Sequence, residues 1–490
     1  MAHKGVLKTM HMRIPQQIFS FLRLGLFVSL SFAAVVVFGN QSQVVVRLDV
    51  EGELIAATGR GTEPIRQPIH VRGKFEFTEP QKPSAETTRE YSDAYAVIAI
   101  DNQSKDIKLP EDARLITVTK VGNSAAHYLD QGFLSREEND LLDIPFDSIL
   151  LDALLPKDAV HIGESWTLAP GDSAGLLTID VIESGQLKVT LEEVMDGLAR
   201  MSLRGRLEGA VDGVSTEIAV EGHFETNTVA SDSTTAAISN NSSPQYLLDQ
   251  HIHAVTCTIQ EQRQSSHVAP GFEVDAKIKV LRTPLTLPTT QRDLSSQTGN
   301  HATIEISDTS SHRRQGNGRP DRLWFRSLDG QFDLLYDARW RIVERSSDTL
   351  VMRLVDQGAL VAQCSITTLP HTSASDTPTM QEVKRDLKRS LQEQFEGFEE
   401  TSERMLDGLS VIRIASIGTA DSLPFRWVHY VLADTFGGRM SVAFMMEESM
   451  TRRFGSSDEE LIHNLRLLRG PEKAFGDPRQ ARLRRKTVTP

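Results

Sequence analysis

Histidines and carboxylates are the side chains from which this chain could build a reactive centre. It carries 14 histidines, 66 acidic residues and two cysteines, Cys257 and Cys364. The closest histidine pair is His251-Ile252-His253. On a strand, alternation places both imidazoles on one face, within reach of one ion. A metal site there needs a third ligand, for which His223 and His267 are the candidates. Without it, His251 and His253 are two strand histidines and no metal is held. His429 sits in an apolar run, residues 427–446, with no nucleophile or carboxylate beside it, and reads as a core or edge residue. SREENDLLD, residues 135–143, gathers Glu137, Glu138, Asp140 and Asp143; its polarity reads as a solvated turn rather than an acid/base centre. Trp166 in HIGESWTL reads as a core or hairpin anchor, with ligand stacking as the alternative.

Motifs that carry a mechanism are missing. The sequence has no HExxH, GxxxxGK[ST], GxSxG or EF-hand loop. Gly59 and Gly61 in TGRGTEP lack the third glycine and the strand–helix setting of a dinucleotide site. Two cysteines make neither a disulfide framework nor a Cys-based zinc site. They read as buried small hydrophobes, with one inter-domain disulfide left open in an oxidising compartment. No catalytic residue and no cofactor is expected.

The elements that would position these residues are mostly strands. In VVVRLDVE, Val44, Val46, Leu48 and Val50 alternate with Arg47, Asp49 and Glu51. VRGKFEFTE, FEVDAKIKV, LKVTLEEV, MSLRGRLEG and STEIAVEGHFE repeat the pattern. Period-two alternation predicts half-buried antiparallel strands, with turns as in GAVDGV. A short helix is predicted around residues 146–155. Residues 43–285 are therefore expected to form an antiparallel β domain, of half-barrel form. The Ser/Thr/Asn/Gln/Gly-rich stretch 286–322 is expected to be a disordered linker, and 227–243 a long loop. Residues 323–470 are predicted as an α+β domain. It has strands first, then a helix over 379–398 with Met380, Val383, Leu387, Leu391, Phe395 and Phe398 on one face. Thr379 and Glu382 have capping-box spacing. A hairpin follows, turning at Phe436-Gly437-Gly438, and a last helix starts after Ser456 or Ser457. The tail, 471–490, is basic and expected to be disordered.

With 490 residues the chain exceeds one ordinary core. Its formal charge of −13 argues against nucleic-acid binding, which needs a basic surface. Lys4, Lys8, Arg13 and Arg23 precede the apolar run 24–39, the pattern of an export signal. The run is shorter than the about 20 residues of a full span. Residues 1–40 are expected to be a signal peptide or an N-terminal membrane anchor. The rest would be periplasmic, secreted, or held at the outer face of the inner membrane.

The order of elements in the second half, strands with Trp340, a long amphipathic helix, a strand meander and a closing helix, resembles the PsbP-like fold. That resemblance implies an antiparallel sheet with helices on both faces and a binding or assembly role, with no catalytic constellation to transfer. The first domain resembles the half-barrels of LolA/LppX-type lipoprotein carriers, which implies a curved sheet around an apolar groove for acyl chains. The sequence departs from them in offering few helical segments to plug such a groove. The overall layout is similar to that of large exported proteins of some bacteria. The expectation is a non-catalytic binding or assembly protein of the bacterial cell envelope, binding an apolar ligand in its β domain, with lipid or another envelope protein as partner. The alternatives are a hydrolase whose site is assembled from distant residues, and a purely structural envelope protein.

Overall fold

The computed structural model describes residues 41–56, 64–82, 84–229, 244–265, 270–285, 316–371, 378–420 and 422–468. The N-terminal segment 1–40, the linker up to 315, His267 and the tail 471–490 lie outside the described residues. The fold is β-rich α+β, and its sheets are antiparallel.

The first domain is built on one long-stranded sheet. Its strands are β1 (Gln41–Ala56), β2 (Ile65–Pro80), β3 (Glu86–Ile100), β4 (Gln103–Lys108), β5 (Leu115–Val121) and β6 (Ser124–Tyr128), then β8 (Ser165–Thr167), β9 (Val181–Met195), β10 (Leu198–Val211), β11 (Val214–Thr228), β13 (Leu248–Arg263) and β14 (Gly271–Pro284). The order is β6-β5-β3-β2-β1-β14-β13-β11-β10-β9-β8, with β4 paired to β3. β7 (Val160–His161) and β12 (Gln245–Tyr246) form a separate ribbon. β1 is central. It pairs with β2 from Gln41↔Pro80 to Ala56↔Ile65 and with β14 from Ser42↔Pro284 to Ile55↔Gly271. Val44, Val46, Leu48 and Val50 are buried while Arg47 and Glu51 are exposed, as the alternation requires. Each buried valine or leucine removes apolar surface worth roughly 1.5–3 kcal/mol.

The apolar face of this sheet is covered by the chain itself. Residues 129–179, between β6 and β9, bring Leu141, Phe146, Leu151, Leu154, Leu176 and Leu177 into one core with the strands. This plug contains α1 (Arg136–Leu142) and α2 (Pro170–Leu176); of the helix expected over 146–155, a 3-10 turn, Leu151–Leu154, forms. The groove expected to be short of helical cover is filled by short helices and irregular backbone, pieces too brief to carry a 3.6-residue period. The acidic stretch read as a solvated turn is α1. The Ser135 hydroxyl accepts from the Glu138 N–H, and the Glu138 carboxylate accepts from the Ser135 N–H, closing a capping box. Asp140, Leu141 and Leu142 are buried.

The second domain comprises β15 (Arg322–Arg326), β16 (Phe332–Asp337), β17 (Trp340–Arg345), β18 (Thr349–Asp356), β19 (Ala359–Leu369), β20 (Phe395–Leu406), β21 (Leu409–Ala420), β22 (Leu423–Ala433), β23 (Arg439–Glu447) and β24 (Leu465–Leu467). One sheet runs β17-β18-β19-β23-β22-β21-β20 and a smaller one β15-β16-β24. On one face of the larger sheet lies α3 (Met380–Leu391), whose Val383 packs with Ile412 and Ile414. Against the other lie α4 (Thr451–Phe454) and α5 (Ser457–His463), where Phe454 meets Phe444 and Asp458 accepts the Tyr430 hydroxyl. α3 stops at Leu391, short of the expected Phe398. Gln392 turns to a positive φ of 48° and its N–H bonds the Lys388 carbonyl, after which Phe395 enters β20.

The two domains share one apolar core: Leu323, Trp340 and Phe444 belong to the same cluster as Val44 and Phe75. The far end of the expected linker is part of the junction. Gly132 donates its N–H to the Gly316 carbonyl at 2.7 Å, and Asn317 bridges Gln131.

Candidate functional site

Where the domains meet, they line a half-open chamber of about 420 Å³ that is rich in charged groups. The plug supplies Arg136, Asp140, Asp143, Asp147 and Thr178, and Asp180 follows it just before β9. The β10–β11 turn supplies Asp212 and β6 supplies His127. The second domain closes it with Arg339 and Arg341 at the start of β17 and with Asp356 at the β18–β19 turn. Six aspartates face three arginines and one histidine.

Local sequence rules explain how these groups arrive. Asp212-Gly213 joins β10 to β11 with φ of 53° and 78°, the two-residue turn that Asp-Gly favours. The Asp212 N–H donates to the Asp180 carboxylate at 2.7 Å, fixing one acid by the other. The capping box starts α1, so Arg136 and Asp140 stand one turn apart with Nε 2.5 Å from Oδ1. Gly358, at φ 70° in the β18–β19 turn, lies against the β domain; a Cβ there would stand 2.6 Å from Val181 Cγ1. A side chain at this position would push the second domain off the chamber.

Most of the charges are matched. Arg341 Nε is 2.9 Å from Asp212 Oδ1, and its Nη2 is 3.8 Å from Asp180 Oδ1. Asp147 accepts two bonds from Arg89, at 2.5 and 2.8 Å, and lies 3.4 Å from His127 Nε2. Asp356 is shared by Arg339 and Arg453. Asp143 differs: no ion pair or side-chain hydrogen bond to it is found among the described residues. Burial pushes its carboxyl up to about 6, against the opposing pull of His127 and Arg341. Burial also raises Asp180, in spite of Arg341. Thr178 adds a second irregularity. It is β-branched yet holds φ of +54°, and its buried hydroxyl has no partner among the described residues. Such backbone strain persists only where its surroundings enforce it.

Behind the chamber runs a buried ionic network. Arg89, fully buried, bonds Glu79 at 2.9 Å, both Asp147 oxygens, and Ser148 at 2.8 Å. Glu79 also takes Arg282 at 3.0 Å. Two arginines thus balance two carboxylates in the low-dielectric interior.

The histidines singled out from the sequence stand elsewhere. His251 and His253 do come together, with ring centroids 5.0 Å apart. Neither belongs to a group of three potential ligands among the described residues. His223 lies on β11 opposite Thr256 and Ser202. His251 is 3% exposed; burial first, then Arg282, lowers its pKa to about 4. A cation beside Arg282 would be repelled. A group with ligand-like spacing that the sequence reading did not raise is Asp49, Glu51 and His70 on the outer sheet face. There His70 Nε2 stands 2.8 Å from Asp49 Oδ1 and 3.2 Å from Arg72 Nε, so the ring nitrogen already has partners. His429 faces Ile414 and Ala443 across its strand neighbours, and burial lowers its pKa to about 4. Trp166 donates its indole N–H to the Leu154 carbonyl and packs on the core. Cys257 and Cys364 are both free and buried.

Sequence comparison finds no protein family and no curated protein that matches the chain. Among solved structures, a Bacteroides thetaiotaomicron protein aligns at TM-score 0.23 and 13% identity over 30% of this chain and 48% of its own. Lipovitellin aligns at TM-score 0.26 and 8% identity over 53% of this chain and 27% of its own. The outer-membrane protein OccK5 of Pseudomonas aeruginosa aligns at TM-score 0.12 and 8% identity over 83% and 96%. The chain thus spans under half of the first two. Likenesses of this size identify neither fold nor function.

Proposed function

We propose that the chain is a non-catalytic, exported binding protein of the cell envelope, and that its site is the chamber between the domains. The observation that carries this reading is Asp143, a carboxylate with no ion pair or side-chain hydrogen bond among the described residues, in a half-open cavity where acids outnumber cations. A small polar ligand bearing an ammonium or guanidinium group would give Asp143 its missing partner and Thr178 Oγ1 a hydrogen bond. Pairing with a cation would return the Asp143 pKa toward the ordinary carboxylate range, so binding should release a proton near pH 6. An apolar ligand on the large sheet would first have to displace residues 129–179, which fill that face.

The hydrolytic reading rests on the same residue, since a carboxyl that titrates near 6 can donate a proton at neutral pH. Thermal unfolding of the protein with spermidine or arginine at pH 7.5 separates the readings. Binding raises the midpoint with ligand concentration, and Asp143→Asn removes the increase. A midpoint that neither ligand moves would overturn the proposed site.

A further inference from the structure

We propose that the outward face of the large sheet binds a linear polyanion of the carboxylated or sulfated glycan class, in a basic hollow across β2, β1 and β14. This surface is separate from the interdomain chamber. The pairing register puts Lys74 and Lys279 directly opposite Arg47 on its two sides. In the next outward row, Arg72 and Lys277 flank Asp49. Like charges directly opposite one another on a sheet are destabilising, and two such pairs stand side by side here. Lys74 is relieved by Glu76 at 3.0 Å and Asp93 at 3.3 Å. Arg47, Lys277 and Lys279 are exposed and form no ion pair among the described residues.

The hollow has a volume of about 610 Å³ and is lined by five cations against one carboxylate, Asp49. That excess stands in a chain of net charge −13. Next to it the same face turns acidic, in a hollow lined by Glu51, Glu53, Glu208, Glu217, Glu273 and Asp275. The basic hollow thus borders an acid-rich one, which turns a polyanion away from that side. Strands lie about 4.8 Å apart, so Lys74, Arg47 and Lys279 stand in a line across the strands, in which Arg47 and Lys279 form no ion pair among the described residues. A repeating, singly charged sugar chain presents its anions in such a line. Tyr95, opposite Lys74 on β3, offers a ring against which a sugar can stack. A narrow line of charge bordered by acids fits a slender chain better than a bilayer.

The test is binding of fluorescently labelled polygalacturonate and dextran sulfate to the full chain across a salt series, with neutral dextran as control. Both polyanions are expected to bind, less tightly as salt screens the contacts. The double variant Arg47→Gln/Lys279→Gln should weaken binding at least about tenfold and flatten the salt dependence. Its melting temperature without polymer should hold or rise, because like-charge contacts are removed; a lower one contradicts the premise. Truncation of residues 471–490 should leave binding intact. Three results would overturn the proposal: undiminished binding by the double variant, loss of binding on truncating the basic tail, or equal and equally variant-sensitive binding to phosphatidylglycerol vesicles.

Discussion

Arg341 of the second domain reaches Asp212 of the first, Nε to Oδ1 at 2.9 Å, across the chamber that separates them. Burial alone would lower the Arg341 pKa, but Asp212 and then Asp180 hold it above its usual value. The guanidinium therefore neutralises acids that belong to the other domain. Arg341→Gln leaves Asp180 and Asp212 facing each other without it, and should cost about 2–4 kcal/mol. Urea unfolding measures this as a lower midpoint. Because the apolar core is continuous across the domains, a single transition is expected in parent and variant alike.

Asp143 gives a pH-dependent signature of opposite sign to most carboxylates. Its folded pKa is about 6, above the roughly 3.9 of an unfolded aspartate. The folded state thus binds the extra proton, and the stability this contributes is full below pH 4 and lost as pH rises through 6. Asp143→Asn should be close to neutral at pH 4 and stabilising by about 1–2 kcal/mol at pH 7.5. Thermal midpoints at the two pH values check this; equal effects at both would show that the carboxyl is not held protonated.

His251 and His429 act in the other direction. Burial holds both near 4, below the about 6.5 of an unfolded histidine. The unfolded chain takes up protons first, so their contribution is complete above pH 6.5 and falls away as pH drops toward 4. His251→Leu/His429→Leu should make the stability curve flatter across that window. A parent-like slope in the double variant sinks the assignment.

Arg89 is the cation that Glu79 and Asp147 share in the interior. Burial would raise the Asp147 carboxyl, but the Arg89 charge and hydrogen bonds outweigh it and hold it well below the usual range. Arg89→Leu strands both acids without their common partner and should cost about 3–5 kcal/mol at neutral pH. The loss should shrink on acidification below pH 4, where the unfolded acids protonate and the native pair no longer favours folding. Guanidinium unfolding at pH 7 and pH 3 compares the two.

Much of the scaffold was legible in the sequence. Alternation placed Val44, Val46, Leu48 and Val50 inward, and in the apolar run 427–446 the structure sets Val431 on one side of its strand and Val428, Tyr430 and Leu432 on the other. The Thr379–Glu382 capping box also forms. The chamber was not legible, because its parts come from elements remote in sequence. Asp212 was visible as part of a turn, and Asp140 and Asp143 as a polar run. What makes them a site is burial by Arg341 and Gly358, more than a hundred residues further along the chain. The Ser135/Glu138 pair was the one local signal that this run was a helix start. The charge rows of the outer face were also hidden, since they depend on register and not on any one strand.

The plug also dictates an order of events. Strands β1 to β6 and β9 to β14 flank it in sequence, and β1 closes the sheet by pairing with β14, Ser42 with Pro284. Half of β1's ladder therefore waits for residues more than two hundred positions away. Such non-local closure slows folding and leaves an unpaired, apolar-faced edge exposed meanwhile. Wherever the chain is made or delivered from its N-terminus onward, its central strand stays half-paired until β14 emerges.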